Sequence, residues 1–342
     1  EARDTYRRIF EIEPENGIAQ LSMAEFYKLN NEKENQFIYL DKAFRNETLP
    51  IDRKMAVVIE HLTDESLFKD NTQKLDSLIS ILEFMYPEDF RVKTAKADFL
   101  TRLDKFEDAV ALYNEVLKGQ KSNYFIWEQT IFIVIMLGNT ENVYDRCSEA
   151  LQYFTDNPFL YMFHGNSAMQ LNKNEEAIKS LEKGLEFAEN NITLTVQFYS
   201  FLAEAWRNLE DHAKSDEYFE KALEMEPENI MILNNYGYYL SLREEKLERA
   251  EKMSRKTIKV EPNNATYLDT YAWILYKQKK YQDALEYIER AINNGGEDDP
   301  DILEHYGDIL SSLGRKQEAK KYWSLALEKG AKSEELKNKI SE

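Results

Sequence analysis

The sequence predicts an all-α solenoid of stacked antiparallel helix pairs, and three observations predict it. Small residues recur about every 34 positions, a period that marks repeat architectures. Gly165, Ala177 and Gly184 form one set, and Ala203, Ser215 and Ala222 the next. Ala272, Ala284 and Ala291 follow, then Gly307, Ala319 and Ala326, with internal spacings of 12 and 7 in each set. Second, larger apolar residues stand between the small ones at helical spacing, as with Tyr199, Leu202, Trp206 and Phe219. Third, only 11 Gly and 7 Pro interrupt 342 residues that are 43% hydrophobic, which favours long runs of helix with ample burial.

Each unit reads as helix A, a tight turn and helix B. Units are expected to start near Gly17, Phe90, Tyr124, Pro158, Val196, Ile230, Ala265 and Pro300, with a poorer unit over 51–89. Position 8 is small (Ala24, Ala97, Gly165, Ala203, Gly237, Ala272, Gly307), because helices A and B cross closely there and a bulky side chain would part them. Positions 20 and 27 repeat the logic on helix B, with Ala109, Ala177, Ser215, Ala284 and Ala319, then Ala43, Ala150, Gly184, Ala222, Ala291 and Ala326. Pro14, Pro87, Pro227 and Pro262 close units, since proline cannot continue a helix and starts the next one well.

These positions together form the tetratricopeptide repeat pattern, and the chain resembles that family over nearly its whole length. The resemblance implies helix pairs wound into a right-handed superhelix with helix A lining the concave face. It divides the chain into the second half of a truncated repeat (1–16), degenerate units (17–89), central units (90–191), C-terminal units (192–332) and a charged capping helix (333–342). The phase breaks over 51–89, at about four extra residues after Asn191, and at one extra residue near 243–249; Ile131 stands where a small residue is expected. Region 51–89 is expected to be the weakest link of a stack whose stability sums along the chain. The segments LNNYGYYLSLREEKLERAEKM, VEPNNATYLDTYAWILYKQKKYQDALEYIERAI and DILEHYGDILSSLGRKQEAKKYW resemble the tails of bacterial cell-envelope lipoproteins with these repeats. That implies an adapter on the periplasmic side of the outer membrane, anchored through sequence upstream of Glu1. A cytoplasmic setting is the alternative.

Chemistry is sparse. The 63 acidic and 44 basic residues leave a net charge of −19, which repels phosphate backbones and makes nucleic acid a poor partner. The charge suits basic partners or simply keeps a large helical surface soluble. Cys147 is the one cysteine, so no internal disulfide or thiolate metal cluster is available. No uninterrupted apolar run approaches the ~18 residues of a membrane span. The histidines, His61, His164, His212 and His305, lie far apart, so we expect no metal site and read them as packing or surface residues. There is no phosphate loop and no zinc helix. No catalytic residue and no cofactor is expected. Three N-glycosylation tripeptides, at Asn46, Asn191 and Asn264, are expected to be accidental.

In the family's geometry, positions 2, 5, 9 and 12 of helix A face the groove. Phe125, Glu128, Phe132, Ile135, Phe159, Met162, Asn166 and Met169 then make an apolar zone with adaptable methionines. Asn234, Tyr238, Asp269, Trp273, Tyr276, Glu304 and Asp308 make an aromatic and acidic one. Such a surface suits basic or amphipathic protein segments, because ring faces attract cations. Family members that clamp a C-terminal carboxylate use Lys or Arg at positions 5 and 9. Here Asn234/Tyr238, Asp269/Trp273 and Glu304/Asp308 stand there, so no such clamp is expected. The reading is a non-enzymatic scaffold that binds proteins along its concave face, in a bacterial envelope. The alternatives are a structural subunit of an envelope assembly with no peptide groove, and a recruiting module of an enzyme whose catalytic part lies elsewhere.

Overall fold

The computed structural model describes residues 9, 12–13, 15–188, 190–331 and 334–341, and among them every extended element is a helix. The expectations resting on Ala2, Tyr6, Pro14 and Ser333 lie outside these residues. The chain divides into two compact units, Glu1–Leu171 and Asn172–Glu342.

The first unit holds α1 (Gly17–Leu29), α2 (Lys33–Arg45), α3 (Ile51–Thr63), α4 (Glu65–Met85), α5 (Phe90–Thr101), α6 (Phe106–Gly119), α7 (Tyr124–Met136), α8 (Thr140–Ala150) and α9 (Pro158–Gln170). The second holds α10 (Asn174–Glu186), α11 (Ile192–Asn208), α12 (His212–Met225), α13 (Ile230–Leu242), α14 (Leu247–Val260), α15 (Ala265–Lys277), α16 (Tyr281–Asn293), α17 (Pro300–Ser312), α18 (Lys316–Glu328) and α19 (Glu334–Ser341). Helix A begins at the expected residue in all units but one. The extra residues after Asn191 do not form a loop; they extend α11 backward by a turn, from Val196 to Ile192.

Local chemistry explains the starts. Asn16, Asp89, Asn157, Asn191, Asn229, Asn264 and Asp299 each accept a hydrogen bond from a first-turn N–H of the helix A that follows. These donors have no partner inside the helix, and a short polar side chain satisfies them. Two tripeptide asparagines, Asn191 and Asn264, are spent in this way. The third, Asn46, is buried, and its Nδ2 donates to the Glu15 carbonyl at 2.7 Å and to Gln20 Oε1 at 3.1 Å.

The turn after helix A carries a signal that the spacing of small residues does not. Asn31, Asp104, Gly138, Asn172, Glu210, Glu244, Lys279 and Gly314 all occupy the left-handed region, with φ from 57° to 80°. Most are not glycine and carry the strain of that conformation. The extra residue near 243–249 adds a second left-handed position, Lys246. Replacing exposed Lys279 by Gly relieves ~1–2 kcal/mol of strain against ~0.5–1 kcal/mol of added chain entropy. Lys279→Gly is therefore expected to raise the urea unfolding midpoint and Lys279→Ala not to.

The small positions are buried as the repeat logic requires. Ala24, Ala97, Ala203 and Ala272 at position 8, and Ala109, Ala177, Ala284 and Ala319 at position 20, expose 3% or less. Region 51–89 forms two helices with a full core: Phe68, Leu75, Leu78, Ile79 and Leu82 of α4 pack with Val58 of α3 and Phe44 of α2. Its irregularity has a local cause. The turn between α3 and α4 is the single residue Asp64, and α4 is long and kinked at Asn71, where φ is −133° and ψ 17°. A fully buried Lys54 anchors the start of α3, its Nζ donating to the Asn46 carbonyl at 2.8 Å and to Tyr86 Oη at 3.1 Å. The ammonium thus sits at the C-terminal, negative end of α2.

Candidate binding groove

In the second unit, successive A helices bring equivalent phases of the repeat to one face. The resulting cavity, of about 630 Å³, is lined by Tyr238 of α13, Trp273, Tyr276 and Lys277 of α15, and Asp301, Glu304, His305, Asp308, Ser311 and Ser312 of α17. Helix B of the last repeat adds Lys316, Lys320 and Trp323, and α19 closes one side with Glu335 and Lys339.

Its floor is a stack of three rings. Tyr276 lies on Trp273 with centroids 4.7 Å apart and planes at 14°, and Trp273 lies on the His305 imidazole at 3.9 Å and 19°. His305 Nδ1 donates to the Asp269 carboxylate, 2.8 Å from Oδ1 and 3.1 Å from Oδ2. Burial disfavours the imidazolium, but the charge and hydrogen bond of Asp269, with Asp308 and Asp301 beyond, outweigh it and raise the His305 pKa. Trp273 Nε1 is buried without a hydrogen-bond partner.

The acidic wall is already engaged. Lys339 Nζ lies 2.9 Å from both Asp308 oxygens and 3.3 Å from Glu304 Oε1. Trp323 Nε1 also donates to Asp308 Oδ1, at 3.0 Å. Burial alone would lower the Lys339 pKa, yet Asp308 and Glu304 raise it. Leu336, fully buried in the core of the last repeats, and half-buried Ile340 hold α19 in place.

Of the residues expected on this surface, the structure brings Tyr238, Tyr276, Glu304 and Asp308 together on the walls. Trp273, only 7% exposed, still presents its ring to the cavity, whereas Asn234 and Asp269, expected to be exposed there, are buried and do not line it. Asp269 is consequently spent on His305 and is not free for a ligand. The lining is not simply acidic either: Lys277, Lys316, Lys320 and Lys339 match its four carboxylates in number. In the first unit Phe125, Phe132 and Phe159 are exposed as expected, Phe132 by 54%. Met162 is half-buried, and Met169, expected to face the groove, is buried instead at 7% exposure.

Spacing alone missed His305 and Lys339. His305, expected to be a packing or surface residue, occupies position 6 of its repeat, and Asp269 occupies position 5 of the one before. Overlaying consecutive A helices would have paired them. Among the described residues no three His, Cys, Asp or Glu side chains gather as a metal site, and no helix is long and apolar enough to cross a membrane.

Residues 102–332 match the family model described as Tetratricopeptide repeat. The chain belongs to the tetratricopeptide repeat family. Among solved structures, it is similar to the Cut9–Hcn1 hetero-tetramer of APC/C, with 11% identity, 95% of this chain and 69% of that chain covered and a TM-score of 0.54. It is also similar to yeast Tom70, with 15% identity, coverage of 99% and 83%, and a TM-score of 0.50. A Pseudomonas aeruginosa pilF structure matches with 20% identity, 54% of this chain and 87% of that one, at a TM-score of 0.45. At these identities what the chain shares with the first two is the helical-repeat fold. No curated protein matches the chain in sequence.

Proposed function

We propose that this protein is a non-enzymatic scaffold that holds a polypeptide segment in the groove of its C-terminal unit. The observation that supports this most is the cavity itself. It is open, it is built from three consecutive A helices, and it presents aromatic faces beside charges of both signs. Aromatic anchors supply much of the binding energy of protein interfaces, and charges on both sides fix the direction of a bound segment. The repeat family supports a protein-interaction role; the resemblance of the C-terminal segments supports an adapter in a bacterial cell envelope.

The test is selection of peptides from a displayed library on the intact protein, followed by affinity measurement on variants. Tyr276→Ala and Asp301→Lys change groove walls without emptying the core. Each is expected to weaken selected peptides at least tenfold. Selected peptides that bind both variants as tightly as the wild type, and lose affinity with Phe132→Glu, would move the binding face to the first unit.

A second reading has its own observation. Helix α7, YFIWEQTIFIVIM, is apolar but for Glu128, Gln129 and Thr130, yet Phe125, Phe132, Ile135 and Met136 are exposed. A helix of that kind is ordinarily covered. This favours a broad contact surface of the sort a structural subunit of an assembly uses.

A further inference from the structure

We infer that Glu304 and Asp308 form the receptor for one lysine or arginine side chain of the bound segment, and that Lys339 occupies this receptor in the free protein. The inference rests on the groove reading and adds to it the chemistry of the anchor and an exchange that controls access.

The site is shaped for a single cation. Asp308 and Glu304 stand one helical turn apart on α17, their side chains only 12% and 23% exposed. Both Asp308 oxygens and one Glu304 oxygen converge on one ammonium. Trp323 orients Asp308 through its indole N–H, and its ring lies 5.9 Å from the same Nζ. Trp273 supplies a second ring on the cavity wall, with a buried indole N–H that has no acceptor. A carboxylate pair held this way, partly shielded from water, discriminates strongly for a charged partner.

The occupant is replaceable at the level of one side chain. Helix α19 has apolar anchors of its own in Leu336 and Ile340, so its packing does not rest on Lys339 alone. Glu335, one turn back on the same helix, is 3.7 Å from Lys339 Nζ and 79% exposed. Lys339 can therefore swing outward to Glu335 and leave the acidic pair to an incoming cation, with α19 still packed. An incoming arginine competes well, since its planar, pre-organised fork offers more donors to the carboxylate pair than an ammonium does. The free protein thereby avoids two unpaired, part-buried carboxylates, and an uncharged segment gains nothing from the exchange.

The experiment uses the whole chain and two labelled probes, an acetylated, amidated heptapeptide Gly-Ser-Ala-Arg-Ala-Ser-Gly and the same peptide with citrulline for arginine, read by fluorescence anisotropy. Lys339→Gln is expected to bind the arginine peptide about tenfold more tightly than the wild type, with no gain for the citrulline peptide. Lys339→Arg, which keeps the resident charge, is expected to bind the arginine peptide no more tightly than the wild type. Adding Glu304→Gln and Asp308→Asn to Lys339→Gln is expected to abolish the gain. Equal affinity of Lys339→Gln and wild type for the arginine peptide, an equal gain for citrulline, or no binding to Lys339→Gln at millimolar peptide each overturns the proposal. If library-selected peptides still depend on Tyr276 in that event, the exchange fails and the groove reading stands. If they do not, both fail.

Discussion

Gly307→Ala is expected to destabilise the C-terminal repeats by about 2 kcal/mol, within the range for overpacked cores. A Cβ at this position would stand 2.3 Å from both Cδ1 and Nε1 of Trp323. The indole is a rigid ring wedged between α17 and α18, so it must move bodily. Its N–H then leaves Asp308, and the acidic end of the groove loses its geometry. Gly237, the same repeat position two units earlier, supplies the control. There the nearest atom to an added Cβ is the Ala250 carbonyl oxygen at 3.4 Å. Gly237→Ala is expected to be neutral or to stabilise by up to ~1 kcal/mol, because alanine is the better helix former. The substitution is the same in both; what differs is the neighbour the new Cβ meets, the Trp323 indole in one and the Ala250 carbonyl in the other. Urea unfolding of the two variants checks the contrast, and equal effects of either sign would contradict the packing described.

Asp269→Asn is expected to have the other large effect. Asp269 and His305 are each 7% exposed and hydrogen-bonded to one another. Removing one member of a buried pair typically costs ~3–5 kcal/mol, and here His305 can shed its proton, which places the loss at the low end. The pH dependence follows from the raised pKa of His305. A histidine whose folded pKa lies above its unfolded value, about 6.5, contributes its full stabilisation below that value. The contribution fades as pH rises through the higher folded value. The gap in unfolding free energy between wild type and Asp269→Asn should therefore be widest at pH 5.5–6 and narrow toward alkaline pH. A gap that widens with pH would show that His305 is neutral in the fold. Because the imidazole is the lowest ring of the stack under Trp273 and Tyr276, the same substitution should also loosen the groove floor and alter tryptophan fluorescence.

Much of the fold was legible because the repeat constrains one position through its neighbours in other repeats. Helix starts at Gly17, Phe90, Tyr124, Pro158, Ile230, Ala265 and Pro300 follow from the phase of the small residues. The start at Val196 did not hold, because four added residues can lengthen a helix as readily as a loop, and a favourable cap at Asn191 made the helix the outcome. The left-handed turn residue was not legible. Glu210, Glu244 and Lys279 have no preference for that conformation, and tertiary packing imposes it. In the groove, phase alone selected Tyr238, Tyr276, Glu304 and Asp308. It also selected Trp273, but could not separate these from Asn234 and Asp269, which share the phase but are buried away from the cavity. Lys339 was out of reach for a different reason. It belongs to α19, which follows the last repeat and carries no repeat phase, so its place against Asp308 emerges only when the helices are packed.

The most direct test is hydrogen–deuterium exchange on the intact protein, with and without a saturating library-selected peptide. New protection is expected in α15 and α17, residues 265–277 and 300–312, with little change in α7. Protection confined to residues 124–136, with α15 and α17 unchanged, would contradict a C-terminal binding groove.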